Sequence, residues 1–348
     1  MITSTLLYGL LALSSTGAAK PRPTYTTYSV VPGIFQQDDP ATDAATFNFT
    51  AANFGLIARD YPSDAPHDKT KKTQWQRLAQ HIKTLNKHAP KAERYALLFL
   101  GRHGEGYHNA AESYLGTPAW NCYWSELDGN GTHTWADAKL TTQGVAQALL
   151  VKSFWAHLLK TEKITPPQSF YTSPLWRCLD TARLTFTGLA LPPHAPFTPI
   201  IKENFREGIS AHTCDRRRPR SAIHAAFPTF RFERNFAETD PYWRALFAEQ
   251  PQTQDVRSKV ALDDVFATDR STVLSVTSHS GEIASLLRVL GHREFRLATG
   301  ASLPVLVKVT AMWGEGPPAR TVPAKAQRTC AVPPTIRDSS CNDCLCCL

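Results

Sequence analysis

The stretch LFLGRHGEGYHN brings Arg102, His103 and Asn109 together. Three later stretches carry residues of matching kinds: Arg177 in SPLWRCLDTA, Glu207 in ENFREGISAHTCDRRR, and His279 with Ser280 in SHSGE. This set suits phosphoryl transfer. The transferred group carries negative charge on its equatorial oxygens and needs positive donors around it. Arginine supplies them through a planar, permanently charged fork that grips phosphate bidentately, a role open to Arg102 and Arg177. Neutral imidazole can attack phosphorus and form a phosphohistidine, the role expected of His103. A carboxylic acid must protonate the departing oxygen and later deprotonate water. Glu207 can do so if partial burial raises its pKa.

Each motif is weak alone. An R-H-G tripeptide arises by chance in roughly a few per cent of chains this long, and a strand end meeting a helix start explains SHSG equally well. The case rests on joint occurrence, in order, each motif following a predicted strand. Those strands are YALLFL (95–100), SFYTSP, FTPIIKENF and STVLSVTSHS, with LPVLVKVT as a fifth. Between them lie helical patterns. Thr141 or Thr142 caps a helix running to Lys160, with Val145, Leu149, Phe154 and Leu158 near one face. PLWRCLDTARLTF is a second helix with Pro174 in its first turn. GEIASLLRVLG is a third, with Ser280 as its cap and Gly291 closing it. Alternating strands and helices imply an α/β fold, a three-layer α/β/α sandwich with a mostly parallel central sheet. Ligands bind such sheets at the C-terminal ends of the strands, where all four motifs fall.

With these motifs in place, the chain resembles the histidine phosphatase superfamily in its phosphoglycerate mutase-like branch, nearest in character to fungal mutase-like proteins. The resemblance covers roughly residues 93–310 and rests on RHG with its downstream Asn and on SPLWRCLDTA. It implies that His103 is the phosphorylated residue, that Arg102 and Arg177 clamp the phosphoryl group, and that Asn109 lines the same pocket. It implies Glu207 as proton donor and His279 as a second pocket histidine that hydrogen-bonds the transferring group. Ser280 departs from the pattern. The family often has Gly there, and the acid phosphatase and phytase branch has an Asp that serves as the acid. Ser280 keeps its backbone N–H for the pocket, and the acid role stays with Glu207. Glu203 is the second candidate, and Glu105 reads as a loop residue. No metal and no cofactor are implied.

The expected activity is that of a metal-independent phosphatase acting on a small phosphorylated substrate. A phosphomutase using the same residues, or a non-catalytic phospho-ligand binding protein, are the alternatives. The basic run Arg216, Arg217, Arg218 and Arg220 either gathers the rest of an anionic substrate, with His212 at the pocket rim, or forms a salt-bridged surface. No nucleic-acid-binding motif surrounds it.

The chain has 348 residues, 42% hydrophobic and 20% charged, with a net charge of +8. These values fit a globular protein with a sizeable core and favour anionic partners. Residues 1–19 read as a signal peptide, 20–92 as an N-terminal arm, 93–313 as the phosphatase domain and 314–348 as an irregular Pro- and Cys-containing tail. No segment is long and apolar enough to span a membrane. The leader and the sequons at Asn48 and Asn130 point to a secreted or secretory-pathway protein, with a cytoplasmic one as the alternative. The C-terminal CNDCLCCL lacks the second half of a zinc site and reads as a disulfide-bearing or disordered tail, with no pairing deducible.

Overall fold

The computed structural model describes residues 24–337 and Cys344. The expected signal peptide and most of CNDCLCCL lie outside the described residues. Strand β1 (Thr24–Val30) leads to the short helix α1 (Asp68–Lys71) and then to α2 (Gln74–His88). The Thr73 hydroxyl accepts from the Gln76 N–H, and the Gln76 side chain accepts from the Thr73 N–H. This reciprocal cap satisfies two donors that a helix start leaves open. Strand β2 (Glu93–Arg102) is followed by α3 (Tyr107–Leu115), α4 (Thr117–Cys122) and α5 (Thr142–Thr161). Then come β3 (Ser169–Thr172), α6 (Trp176–Phe186), β4 (Ile200–Ile201), α7 (Arg220–Ala226), β5 (Arg231–Phe232) and β6 (Phe247–Ala248). The last elements are α8 (Pro251–Thr268), β7 (Val273–Ser278), α9 (Ser280–Leu290), β8 (Ser302–Trp313) and β9 (Lys325–Ala326).

Seven strands form one sheet in the order β1-β8-β2-β7-β3-β4-β5. From β2 to β5 the pairing is parallel. The segment LPVLVKVT forms β8, which runs against both neighbours, β1 and β2. Along β2 the side chains alternate between two apolar layers, as the pleat demands. Ala96, Leu98 and Leu100 cluster with Leu262 of α8 and Leu286 of α9. Leu97 and Phe99 cluster with Trp75 of α2 and Trp155 of α5. Helices therefore cover both faces, which makes the α/β/α sandwich. The N-terminal arm is built into it: β1 pairs along β8, and Phe35 and Phe54 are buried in the second cluster.

Several local expectations are corrected. Thr141 caps α5, its hydroxyl accepting from the Gly144 N–H. The buried stripe, however, is Gly144, Ala148, Val151, Trp155 and Leu158, while Leu149 is 43% exposed. A helix turns about 100° per residue, so a stripe through Ala148 rotates Leu149 outward. Pro174 stands outside α6, because Leu175 already holds the extended cap position. His279, not Ser280, caps α9. The insert at 116–139 is more ordered than a loop. It contains α4 and a helical turn at Trp124–Glu126, packed around Trp120 and Trp135. The tail folds back on the domain: β9 pairs with β6, and Cys344 forms a disulfide with Cys122 across 222 residues of chain.

Leu98 is buried in the centre of β2. Replacing Leu98 with Ala should lower unfolding free energy by about 2–5 kcal/mol in urea titration, the usual cost of deleting a core leucine.

Candidate active site

The sheet register brings the four motifs to one edge. Arg102 of β2 pairs with Ser278 of β7, Thr172 of β3 pairs with Thr277, and Thr172 also pairs with Ile201 of β4. The residues that follow are His103, the 173–177 segment, the 202–207 segment and His279. Parallel strands thus deliver all four loops to the same crevice.

His103 is buried, and its backbone is pinned on both sides. Its N–H donates to Ser278 O and its carbonyl accepts from the Gly300 N–H. Its Nδ1 lies 2.7 Å from Gly104 O. Only a protonated Nδ1 can make that bond, so Nε2 carries the lone pair, and among the described residues it has no partner. Burial pushes the His103 pKa well below 6.5, and the charges of Arg177 and Arg102 push it further. The imidazole is therefore neutral, as a nucleophile must be. The loop after it is held by close contact. The Gly104 N–H donates to Thr181 Oγ1, and Thr181 in turn donates to Arg177 O. A Cβ on Gly104 would lie 2.3 Å from Gly144 O, so only glycine lets the loop meet the start of α5.

Arg177 is fully buried. Its Nε donates to His279 Nδ1 at 3.1 Å, Nη1 to Cys214 O at 2.6 Å and Nη2 to Asp215 Oδ1 at 2.9 Å. Two of its five N–H groups stay free for a ligand. Because His279 Nδ1 accepts, its Nε2 carries the proton and donates to Ser173 Oγ at 2.7 Å. Both ring nitrogens of His279 are thus engaged, and to donate to a phosphoryl oxygen it must exchange Ser173 for that oxygen. The His103 ring lies 5.1 Å from the His279 ring and 5.4 Å from the His108 ring. Arg102 donates through Nη1 to Leu297 O, while its buried Nε has no partner among the described residues. Asn109 spends its Oδ1 on the Gly106 N–H, leaving its amide N–H groups to offer. Ser280 is the first residue of α9, and its backbone N–H has no partner among the described residues.

Glu207 sits at the start of α9. Its carboxylate accepts from the N–H groups of Glu282 at 2.9 Å, Gly281 at 3.2 Å and Gly208 at 2.9 Å. Burial raises its pKa above 4.5 and the nearby Asp215 charge adds to this. The N–H donors and Arg177 oppose the rise. A Cβ on Gly281 would lie 2.4 Å from Glu207 Oε1, so the glycine of SHSGE makes room for the carboxylate.

Other candidates fall elsewhere. Glu203 is bound by Arg217 and Arg206. Glu105 accepts from the Thr141 hydroxyl, as a loop residue would. Within the basic run Arg217 is buried, Arg216 and Arg218 are half-buried and Arg220 is exposed. Arg217 is buried against Glu203 and lies over Phe236, Arg216 pairs with Asp128, and Arg218 lies over Trp176. The salt-bridged reading describes these three. His212, Cys214 and Asp215 place their ligand atoms within 4.8 Å of one another and are a group that could hold a metal. They suit one poorly: burial pushes the Cys214 thiol well above 9, and Asp215 already binds Arg177 and Ser210.

The profile of the histidine phosphatase superfamily (branch 1) matches residues 98–303, more than half of the chain. The chain belongs to that superfamily. It is 48% identical over 306 residues to a protein of Arthroderma benhamiae named "Probable phosphoglycerate mutase", covering 88% of this chain and 91% of that one. It is 40% identical over 214 residues to "Phosphomutase-like protein 3" of Candida albicans, covering 61% and 65%. Among solved structures, the ecdysone phosphate phosphatase of Bombix mori aligns over 67% of this chain and 97% of its own, at 16% identity and a TM-score of 0.37.

The motifs lead to residues that the fold brings into one crevice, but they do not single out the groups that hold those residues in place. Asp215, Ser173, Thr181 and His108 were not singled out. Ser173 and Thr181 stand inside the SPLWRCLDTA stretch, and Asp215 inside HTCDRRR. The requirement that a buried arginine have a counter-charge is the signal that points to Asp215. Replacing Asp215 with Ala should cost about 3–5 kcal/mol in chemical denaturation, because the Arg177 charge is left buried and uncompensated.

Proposed function

We propose that this protein is a metal-independent phosphomonoesterase that works through a phosphohistidine. The observation that carries the reading is the state of His103. Its Nδ1–H is spent on Gly104 O, its Nε2 has no partner among the described residues, and burial, reinforced by the charges of Arg177 and Arg102, keeps the ring neutral. In the first step Nε2 attacks phosphorus. The bond from phosphorus to the leaving oxygen breaks, and Glu207 gives that oxygen its proton. In the second step water attacks the phosphohistidine and Glu207 takes the proton from water. The phosphorus–nitrogen bond breaks and inorganic phosphate departs. Arg102 and Arg177 carry the charge in both steps, which is work that a metal does in other phosphoryl-transfer sites.

A mutase is the second reading, favoured by the names of the Arthroderma and Candida relatives. There the phosphohistidine passes its group to another hydroxyl. We also read the chain as entering the secretory pathway. The Cys122–Cys344 disulfide supports this, since such bonds persist in oxidising compartments.

Hydrolysis of p-nitrophenyl phosphate with chelator present should proceed, and His103→Ala should reduce it by about 10³-fold or more. Activity close to wild type in that variant refutes the mechanism. Isomerised ester in place of free phosphate from a phosphosugar favours the mutase. The pH profile has a defined sign. The His103 pKa is pushed down, so the nucleophile stays unprotonated in acid, below 6.5. The Glu207 pKa is pushed up, so the acid stays protonated above 4.5. Activity should fall as pH rises through the Glu207 pKa, and Glu207→Gln should flatten that alkaline limb.

Gly281→Ala gives a second check. The added methyl must displace the Glu207 carboxylate. A misplacement of about 1 Å costs on the order of 10²-fold in rate. Turnover of the folded variant should fall by that order in a steady-state assay.

A further inference from the structure

Two facing helices carry polar residues where core residues are expected. On α8, Gln254, Arg257 and Ser258 fall at helical spacing on one face, and on α9 Glu282 and Ser285 do the same. All five are buried. They lie directly behind the proposed proton donor, since the Glu282 N–H donates to Glu207 Oε1 at 2.9 Å. Arg257 donates to the carbonyls of Asn204, Arg206 and Glu207, and so carries the segment that presents that donor.

The hydrogen bonds locate a proton. A chain of three contacts, each 2.7 Å, runs from Glu282 Oε1 through the hydroxyls of Ser258 and Ser285 to Asp255 Oδ1. Oxygens this close need a proton between them. Three contacts need three protons, and the two serine hydroxyls supply two. The third belongs to one of the carboxyls at the ends. Asp255 is half-buried and both its oxygens accept from Arg288, so it keeps its charge. Glu282 is wholly buried and is left to supply the proton. A second count agrees. The five N–H groups of Arg257 are all spent, two on Glu249 and the rest on the three carbonyls. Glu282 Oε2 stands 3.3 Å from Arg257 Nη1 but receives none of them, and Gln254 Nε2 donates to it at 3.1 Å. Arg257 and Glu249 already cancel in charge, so an ionised Glu282 would be a bare buried anion beside Glu207. Burial pushes the Glu282 carboxyl up to about 8. Arg257, Ser258 and Gln254 oppose the rise, and Glu207 adds to it.

We propose that Glu282 is a protonated, uncharged carboxylic acid that serves as the positioning residue of Glu207. It closes the chain from Asp255, anchors Gln254 of α8 behind the Glu207 segment, and keeps that side of the proton donor free of a further negative charge. A charge there would drive the Glu207 pKa higher still. The positioning role rests on the reading of Glu207 as proton donor, whereas the protonation of Glu282 does not.

The first test leaves catalysis aside. With Glu207→Gln as common background, the infrared spectrum at pH 7 should show a carbonyl band of a protonated carboxylic acid that Glu282→Gln removes. A raised pKa in the fold lends stability that is full below the unfolded value and is lost as pH rises through the folded one. The thermal midpoint of Glu282→Gln should therefore gain on that of the wild type between pH 5 and 8. A missing band, or a constant difference in midpoint over that range, overturns the proposal. The positioning role is read from hydrolysis of p-nitrophenyl phosphate. Folded Glu282→Leu leaves Ser258 and Gln254 without their partner and should lose kcat on the order of tenfold at unchanged KM. Glutamine copies the neutral acid, donating to Ser258 and accepting from Gln254, and should restore both kcat and the alkaline limb. Wild-type kcat in the leucine variant overturns the positioning role. An alkaline limb moved to lower pH in the glutamine variant reveals a lost negative charge and overturns the protonation. The band and the midpoint trend without turnover by the wild type support the proton on Glu282 and overturn the hydrolase reading alone.

Discussion

A guanidinium with almost no contact with water stands at the centre of this molecule. Moving the Arg177 charge into the interior costs several kcal/mol unless partners are in place. Asp215 supplies the opposite charge, Cys214 a carbonyl, and His279 a ring nitrogen. Each partner is fixed in its turn. Ser210 holds the far oxygen of Asp215, and Ser173 holds the far nitrogen of His279. α6, the 210–215 turn and the end of β7 must therefore dock together, because any one alone would leave the arginine unpaired. The same packing fixes the tautomer of His279 and leaves two Arg177 N–H groups for an anion.

That arrangement also sorts the titrating groups. His103 and Glu207 share one crevice but feel it with opposite sign. Burial disfavours the charged form of each, lowering the histidine and raising the carboxyl. The arginines then deepen the fall of His103, and Asp215 adds to the rise of Glu207. Two groups driven apart in this way become base and acid at one pH. Glu207 is kept from drifting too high by three backbone N–H donors, two of them at the start of α9. A helix start favours a carboxylate, which opposes the rise that burial imposes and suits the acid–base role proposed for Glu207.

How much of this the sequence exposed depended on whether a residue's role is local. Strands such as 273–278 and helices such as 142–161 are written in short-range pattern, and so is the placing of the four motifs at strand ends. Leu149 misled because apolar residues also line the neighbouring face of α5, where Leu150 is 57% exposed. β8 could not be oriented from its own residues, since an apolar run buried on both faces looks the same in either direction. The partners of Arg177 were hidden for a related reason. Ser173 and Asp215 differ from surface serines and aspartates only in what lies across space from them. The arginine run 216–220 invited a substrate-binding role by composition, but Arg217 is paired with Glu203 and Arg216 with Asp128, and Arg218 lies over Trp176.

The same distinction explains why the reacting groups do not by themselves name a substrate. A phosphohistidine hands its group to whichever oxygen is held in line with the breaking bond, and one carboxyl can serve water or a second hydroxyl. The choice belongs to whatever walls the site, and the insert and the 208–250 segment are the parts of the chain from which such walls are expected. Neither is read from motifs, and each is held by the other and by the tail. Trp243 donates to His212 O, Thr213 to the carbonyl of Leu127, and the Arg337 and Cys330 N–H groups of the tail to the carbonyls of Leu115 and Cys122. A division between reacting groups and walls lets one catalytic centre keep its chemistry while its substrate is set by the pieces of chain that close over it.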